Sequence, residues 1–249
     1  MKLTTKSVAL MAVFAALYYI TSLISPFIPA AGIPEITIKL EALIASIFGI
    51  LMGPYLGFLT ALLGATITWV LPPSGGIIFG LPFLLSPPLN ALVVGLVFYK
   101  KWKYAFLVLA VEILAFWFLP PSQPLLEFWY VSLAVTWDKI IALALIFPVV
   151  KLARFKSLKL QLLFYFLLAF IGNQADNMWG SEIFAVPIVY EQIFGINIET
   201  VRFLFVVSPF IYPMIRIIQA IIAMVILIPL IRALESSTLI PLKESIIAK

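Results

Sequence analysis

The stretch Gly172–Gly180, GNQADNMWG, decides how this sequence is read. It closes an apolar run, Leu160–Ile171, that is long enough to lie in a membrane, and it turns polar without first turning basic. Asn173, Asp176, Asn177 and Gly180 follow the spacing i, i+3, i+4, i+7 and so share one face of a helix. A carboxylate and two amides on one face at membrane depth are costly unless they meet partners or water. The later segment Tyr212–Gln219 supplies candidates, because Tyr212, Arg216 and Gln219 also fall on one helical face. The two faces are expected to look at each other across a pocket.

The rest of the composition fits a membrane setting. Of 249 residues, 64% are hydrophobic and 11% charged, and the mean hydropathy is +1.17. A water-soluble domain of this size does not need so much apolar sequence, so the chain reads as an integral membrane protein. The net charge of +5 and pI of about 9.4 would suit nucleic acid in a soluble protein. Here the basic residues form short clusters between apolar runs, which is the pattern of membrane orientation and argues against a nucleic-acid partner. Cys and His are both absent. Disulfides, thiolate nucleophiles, His-ligated haem, HExxH zinc chemistry and any Ser-His or Cys-His pair are thereby excluded. There is no GxxxxGK[ST] loop for ATP. No cofactor and no metal site is expected. The first apolar segment, with Lys2 and Lys6 ahead of it, reads as a retained span rather than a cleaved signal.

Eight spans are predicted: Ser7–Ile24, Ile38–Leu51, Tyr55–Leu71, Leu81–Tyr99, Tyr104–Leu119, Trp129–Val150, Leu160–Trp179 and Arg202–Leu230. Ser25–Thr37, rich in Pro and Gly, Pro72–Gly80, Pro120–Phe128 and Ser181–Thr200 read as loops. Glu41 falls near the start of the second span. With eight spans both termini share a side, and placing that side in the cytoplasm puts 12 of the 16 basic residues inside. Those are Lys2, Lys6, Lys100, Lys101, Lys103, Lys151, Arg154, Lys156, Lys159, Arg232, Lys243 and Lys249.

Helical rise places Asp176 about 25 Å above Lys159, and Arg216 about 24 Å above Arg232, so the two are level and opposite in charge. Asn173, Gln219 and Asp138 come out near about 20 Å. The outer half of the bundle is therefore expected to hold a polar layer of Asn173, Asp176, Asn177, Arg216, Gln219 and Asp138. An Asp–Arg pair can equally serve only to tie two helices together. Lys139 can snorkel to an interface. Glu112 and Asn90 lie lower and fit a structural role. Trp69, Trp117, Trp129 and Trp179 fall near outer span ends, as an interfacial aromatic belt requires. Trp179 directly follows the polar face and is also placed to stack on a ring or cover a cation.

Thr4–Leu17 (TTKSVALMAVFAAL), the Pro-rich loop after it, and Ile38–Leu71 with its Gly53-Pro54 turn and Gly57-Phe58-Leu59 resemble the substrate-binding S component of energy-coupling-factor (ECF) transporters. The spans around Asn173–Trp179 and Pro209–Ile228 are similar to the last two helices of that family. The resemblance covers residues 1–99 and 160–234. It implies that the small-residue face carrying Ala9, Ala12 and Ala16 docks on a transmembrane coupling subunit, since small residues permit close helix approach. Six spans are implied by the family, so the hairpin 104–150 reads as an insertion. The absence of His argues against a nickel or cobalt cargo, which the family takes with an N-terminal His.

The sequence thus points to an all-α polytopic bundle, one transmembrane domain over residues 1–249, in the plasma membrane. Its expected function is capture of a small water-soluble nutrient, a vitamin or precursor, with ATPase and coupling subunits as the partners the resemblance implies. The candidate substrate-binding residues are Asn173, Asp176, Asn177, Trp179, Tyr212, Arg216, Gln219 and Asp138, with the site opening outward. A stand-alone secondary transporter or lipid-handling protein, with Asp176 or Asp138 exchanging a proton, fits the same composition. So does a structural subunit of a larger membrane complex. An enzyme is not expected, because proton-transfer chemistry would rest on carboxylates alone.

Overall fold

The computed structural model describes residues 4–24, 27–30, 33–39, 42–153 and 157–234. Lys2, Glu41, Arg154, Lys156, Lys243 and Lys249, used above for orientation and span limits, lie outside the described residues. Nine α-helices are described: α1 (Thr5–Ile24), α2 (Ala42–Met52), α3 (Pro54–Val70), α4 (Ser86–Phe98), α5 (Trp102–Phe116), α6 (Leu125–Leu152), α7 (Leu158–Phe184), α8 (Ile198–Val207) and α9 (Tyr212–Leu234).

The helical bundle predicted from composition is present, with three local differences. The Pro-rich segment after α1 holds a small antiparallel hairpin, β1 (Phe27–Ala30) and β2 (Ile33–Lys39), with Phe27 opposite Lys39 and Ile28 opposite Ile38. Its second strand takes the start of the expected second span, which shortens that helix to Ala42–Met52. The β-branched run in Ile-Pro-Glu-Ile-Thr-Ile-Lys carries the strand preference. The expected last span is two helices, α8 and α9, separated by a 3-10 turn at Ser208–Phe210, where Pro209 interrupts the ladder.

Among the described residues, five helical stretches are long and apolar enough to cross a membrane: Thr5–Leu23, Ile78–Phe98, Leu125–Leu152, Leu158–Phe184 and Tyr212–Ala233. The apolar helices Leu43–Met52 and Pro54–Val70 are shorter, and α5 has 15 residues. All three fall below the ~20 residues that a full crossing takes.

Packing follows from small residues. A Cβ on Gly49 of α2 would run into the carbonyl of Ala91 in α4, and one on Gly95 would stand 2.6 Å from the Cα of Pro54 in α3. Helices α2, α3 and α4 can therefore pack backbone to backbone only because these positions lack side chains. Gly53, at φ +83°, makes the turn between α2 and α3, and Pro54 opens α3 with its preset φ. Around this core α7 lies against α4, α6 and α9, and α5 packs on both α6 and α7. The hairpin read as an insertion is thus built into the bundle beside the polar helix.

Exposure is inverted relative to a water-soluble protein. Val13, Leu114 and Phe203 are among the large apolar side chains that face outward. Asn90, Asn173, Gln174 and Gln219 are completely buried. Lipid outside and polar groups inside is the arrangement that a membrane bundle requires.

Candidate functional site

The polar centre is organised by α7 and α9. Asp176 Oδ1 lies 3.6 Å from Arg216 Nη2, and both side chains are more than nine-tenths buried. Arg216 Nη1 donates to Gln219 Oε1 at 2.9 Å, one turn further along α9. This guanidinium is thereby held between a carboxylate on one helix and an amide on its own, so its fork is aimed at α7.

A second chain of hydrogen bonds fixes the two helices relative to the rest of the bundle. Ser46 Oγ of α2 donates to Asn90 Oδ1 of α4 at 2.7 Å. Asn90 Nδ2 donates to Asn173 Oδ1 of α7 at 3.0 Å. Asn173 Nδ2 donates to the carbonyl of Arg216 at 3.4 Å. Four helices are joined by three buried bonds, ending on the backbone of the residue that pairs with Asp176. Gly172 makes room for this chain, since a Cβ there would collide with the Asn90 side-chain oxygen and with Val94.

Asp138 and Lys139 of α6 form a buried ion pair at 2.9 Å. Lys139 lies within electrostatic range of Arg216, so α6 brings its charges to the same region. Tyr212 is half-buried at the start of α9, within electrostatic range of Arg216. Asn177 is buried, and its backbone carbonyl accepts from Ser181 Oγ at 2.9 Å. Trp179 is half-buried, with its indole Nε1 enclosed and lacking a hydrogen-bond partner.

Several polar atoms in this region have no protein partner: Asp176 Oδ2, Asp138 Oδ2, Arg216 Nε and Gln219 Nε2 among them. Buried polar atoms are normally bonded, so such a set is what a site for a polar molecule presents. Three further buried polar residues lie on the helices that pack in this part of the bundle. Gln174 is completely buried with both amide atoms unbonded. It stands in the same polar stretch Gly172–Gly180 but off the i, i+3, i+4 face, so the periodicity passed over it. Asn90 was legible only as a polar residue inside a span. Glu112 of α5 is buried with both carboxylate oxygens unpartnered and is in electrostatic range of Asp176 and Glu182. The sequence marks Glu112 only as a carboxylate inside the fifth span.

The other predicted surface is on α1. Ala9, Ala12 and Ala16 are exposed, whereas Ala15 is turned into the bundle.

Residues 2–122 match the sequence profile of the family described as ECF-type riboflavin transporter, S component. This match, over just under half of the chain, supports an ECF S component. The match runs past Tyr99 and through α5. That family is one of membrane transporter subunits rather than enzymes, and the several long apolar helices of this chain agree with a multi-pass protein of the plasma membrane. An uncharacterized protein of Methanocaldococcus jannaschii is 28% identical over 140 residues, which is 55% of this chain and 45% of that protein. The chain thus spans less than half the length of that curated relative. No solved structure matches it.

Proposed function

We propose that this chain acts as an ECF S component and captures a small water-soluble nutrient, a vitamin or its precursor, from the outside. It then delivers the nutrient inward together with separate coupling and ATPase subunits. The observation that carries this reading is the buried Asp176–Arg216 pair with unbonded atoms around it, in a chain whose N-terminal half matches a vitamin-transporter family. A purely structural tie would leave fewer partnerless atoms, because evolution and packing alike favour satisfied polar groups in lipid. Asn173, Asp176, Asn177, Trp179, Tyr212, Arg216, Gln219 and Asp138 line the site in this reading. It opens outward beneath the loops that follow α1, α3 and α7. Counting the shorter helices α2, α3 and α5 as crossings too, this reading has eight and places both termini in the cytoplasm. The α1 face with Ala9, Ala12 and Ala16 takes the coupling subunit, since these residues are exposed and small.

The test is uptake in liposomes that hold the chain together with coupling and ATPase subunits from the same source. The substrate is the compound that co-purifies with the protein, with riboflavin as the first candidate, because that is what the matched family is named for. Uptake should need ATP and all subunits. Ala12→Trp should abolish uptake while leaving binding intact. Accumulation driven by a proton gradient without ATPase subunits would instead establish a secondary carrier.

A further inference from the structure

The turn between α4 and α5, the end of α6 and the start of α7 lie at one end of the bundle. Helices α4 and α6 run toward that end, and α5 and α7 start from it. The start of α5 touches the end of α6, where the Trp102 and Phe147 rings meet edge to face at 6.1 Å. Lys100, Lys101, Lys103, Lys151 and Lys159 are exposed on these segments. The sequence has no Asp or Glu between Ala42 and Val111 or between Lys139 and Ala175, so these segments bring no carboxylate to answer the five charges. Among the described residues none of the five forms an ion pair.

Three of these lysines are gathered along one aromatic seam. Lys103 Nζ stands 5.9 Å from the centre of the Trp102 ring, and Lys151 Nζ 4.4 Å from that of Phe147. Lys101 Nζ stands 4.9 Å from the centre of the Tyr55 ring at the start of α3. Phe147 and Tyr55 are exposed, so the seam lies on the perimeter of the bundle, where lipid is the neighbour. Rings there, with lysine stems reaching past them, hold ammonium groups at the height of lipid headgroups. Lys100 adds an observation that membrane orientation does not need. Its φ of +64° is left-handed, just past the end of α4, where glycine is the usual residue because a Cβ is strained. A lysine elsewhere on the turn would orient the protein equally well. The charge is kept at this point against a backbone cost.

We propose that this end of the bundle selects anionic phospholipid, with a headgroup phosphate seated among Lys100, Lys101, Lys103 and Lys151. A fluid lipid suits the set better than a folded acidic partner. All four cations are lysines, whose flexible stems follow a mobile phosphate as point charges, whereas arginine forks serve fixed bidentate geometry. The exposed rings offer apolar surface beside them for the acyl chains. The proposal depends neither on what the chain transports nor on which side of the membrane this end faces.

The experiment titrates the full chain, in micelles of uncharged detergent, with phosphatidylglycerol or with phosphatidylcholine of the same acyl chains. Binding is read by the shift in melting temperature and by the lipid retained in native mass spectrometry. The parent should bind phosphatidylglycerol at least about 10-fold more tightly than phosphatidylcholine, with the preference shrinking in high salt. Lys101→Gln, Lys103→Gln and Lys151→Gln together should bring the two lipids to within about 2-fold of each other. Lysine-to-arginine changes at the same three positions should keep the preference, because the charge remains. Lys100→Gly should weaken phosphatidylglycerol by about 5-fold, the share of one lysine near an anionic surface. Without lipid it should melt no lower than the parent, because glycine relaxes the turn. Inorganic phosphate should not displace the lipid. Equal binding of the two lipids by the parent, loss of the preference in the arginine variant, or displacement by inorganic phosphate would each overturn the proposal. A lower melting temperature of lipid-free Lys100→Gly would overturn the role given to Lys100. A preference that survives the triple Gln variant would also overturn the proposal, and ATP-driven uptake lost in that same variant would mark the surface as a dock for a protein subunit instead.

Discussion

Replacing Asp176 by Asn removes the charge that faces Arg216 and leaves the guanidinium with the neutral Gln219 amide as its side-chain partner. At a separation of 3.6 Å and an effective dielectric constant of about 20, the lost attraction is about 5 kcal/mol. The Gln219 bond and relaxation of the guanidinium return part of this, so the expected net cost is about 3–5 kcal/mol. Arg216→Gln should cost a similar amount, because it leaves Asp176 as the lone charge. The double variant has no lone charge, and two amides can bond across the same gap. It should lie within about 1 kcal/mol of the parent. The two changes should therefore couple by about 3 kcal/mol or more, whereas independent sites add to within about 0.3–0.5 kcal/mol. The assay is a double-mutant cycle by equilibrium unfolding in mixed micelles, with ligand binding measured on the same four proteins. Additive single effects would refute the pairing. Recovery of stability without recovery of binding is the outcome expected of a pair that lines the substrate site. Recovery of both would mark the pair as only a tie between α7 and α9.

Gly172→Ala adds one methyl group against Asn90 and Val94. It should break the Ser46–Asn90–Asn173 chain and cost about 1–3 kcal/mol of stability in the same unfolding assay, the usual price of overpacking. Arg202 donates to the carbonyls of Pro121 and Gln123 at 3.1 and 2.7 Å and lies 3.4 Å over the Phe128 ring. Arg202→Lys cannot reproduce that fork and stack, and should cost about 2 kcal/mol, with faster amide exchange confined to the loop between α5 and α6. Orientation is read by single cysteines in a chain that has none. Glu199→Cys should react with an impermeant thiol reagent from outside and Ser157→Cys should not. Ser122 is unsuitable for this because it is buried, with its hydroxyl bonded to the Phe116 carbonyl.

The sequence alone determined the membrane setting, the helical class and the pairing of two polar faces. Each of these rests on local regularity. Long apolar runs have one stable form in lipid, and helical periodicity places Asp176 beside Asn173 and Arg216 beside Gln219 whatever surrounds them. The β-hairpin after α1 and the division of the last span into α8 and α9 were less legible, because Pro-rich segments end helices without saying what replaces them. Which helices surround the polar faces was decided only by the tertiary structure. Asn90 and Ser46 are far from Asp176 in sequence and have no shared spacing with it. They join the hydrogen-bonded chain to Asn173 because α2 packs on α4 and α4 on α7, and those close approaches depend on Gly49 and Gly172, whose neighbours lie on another helix. Non-local contacts of this kind leave no periodic signal in the chain, so the neighbours of a buried charge are fixed by the fold and not by its own segment.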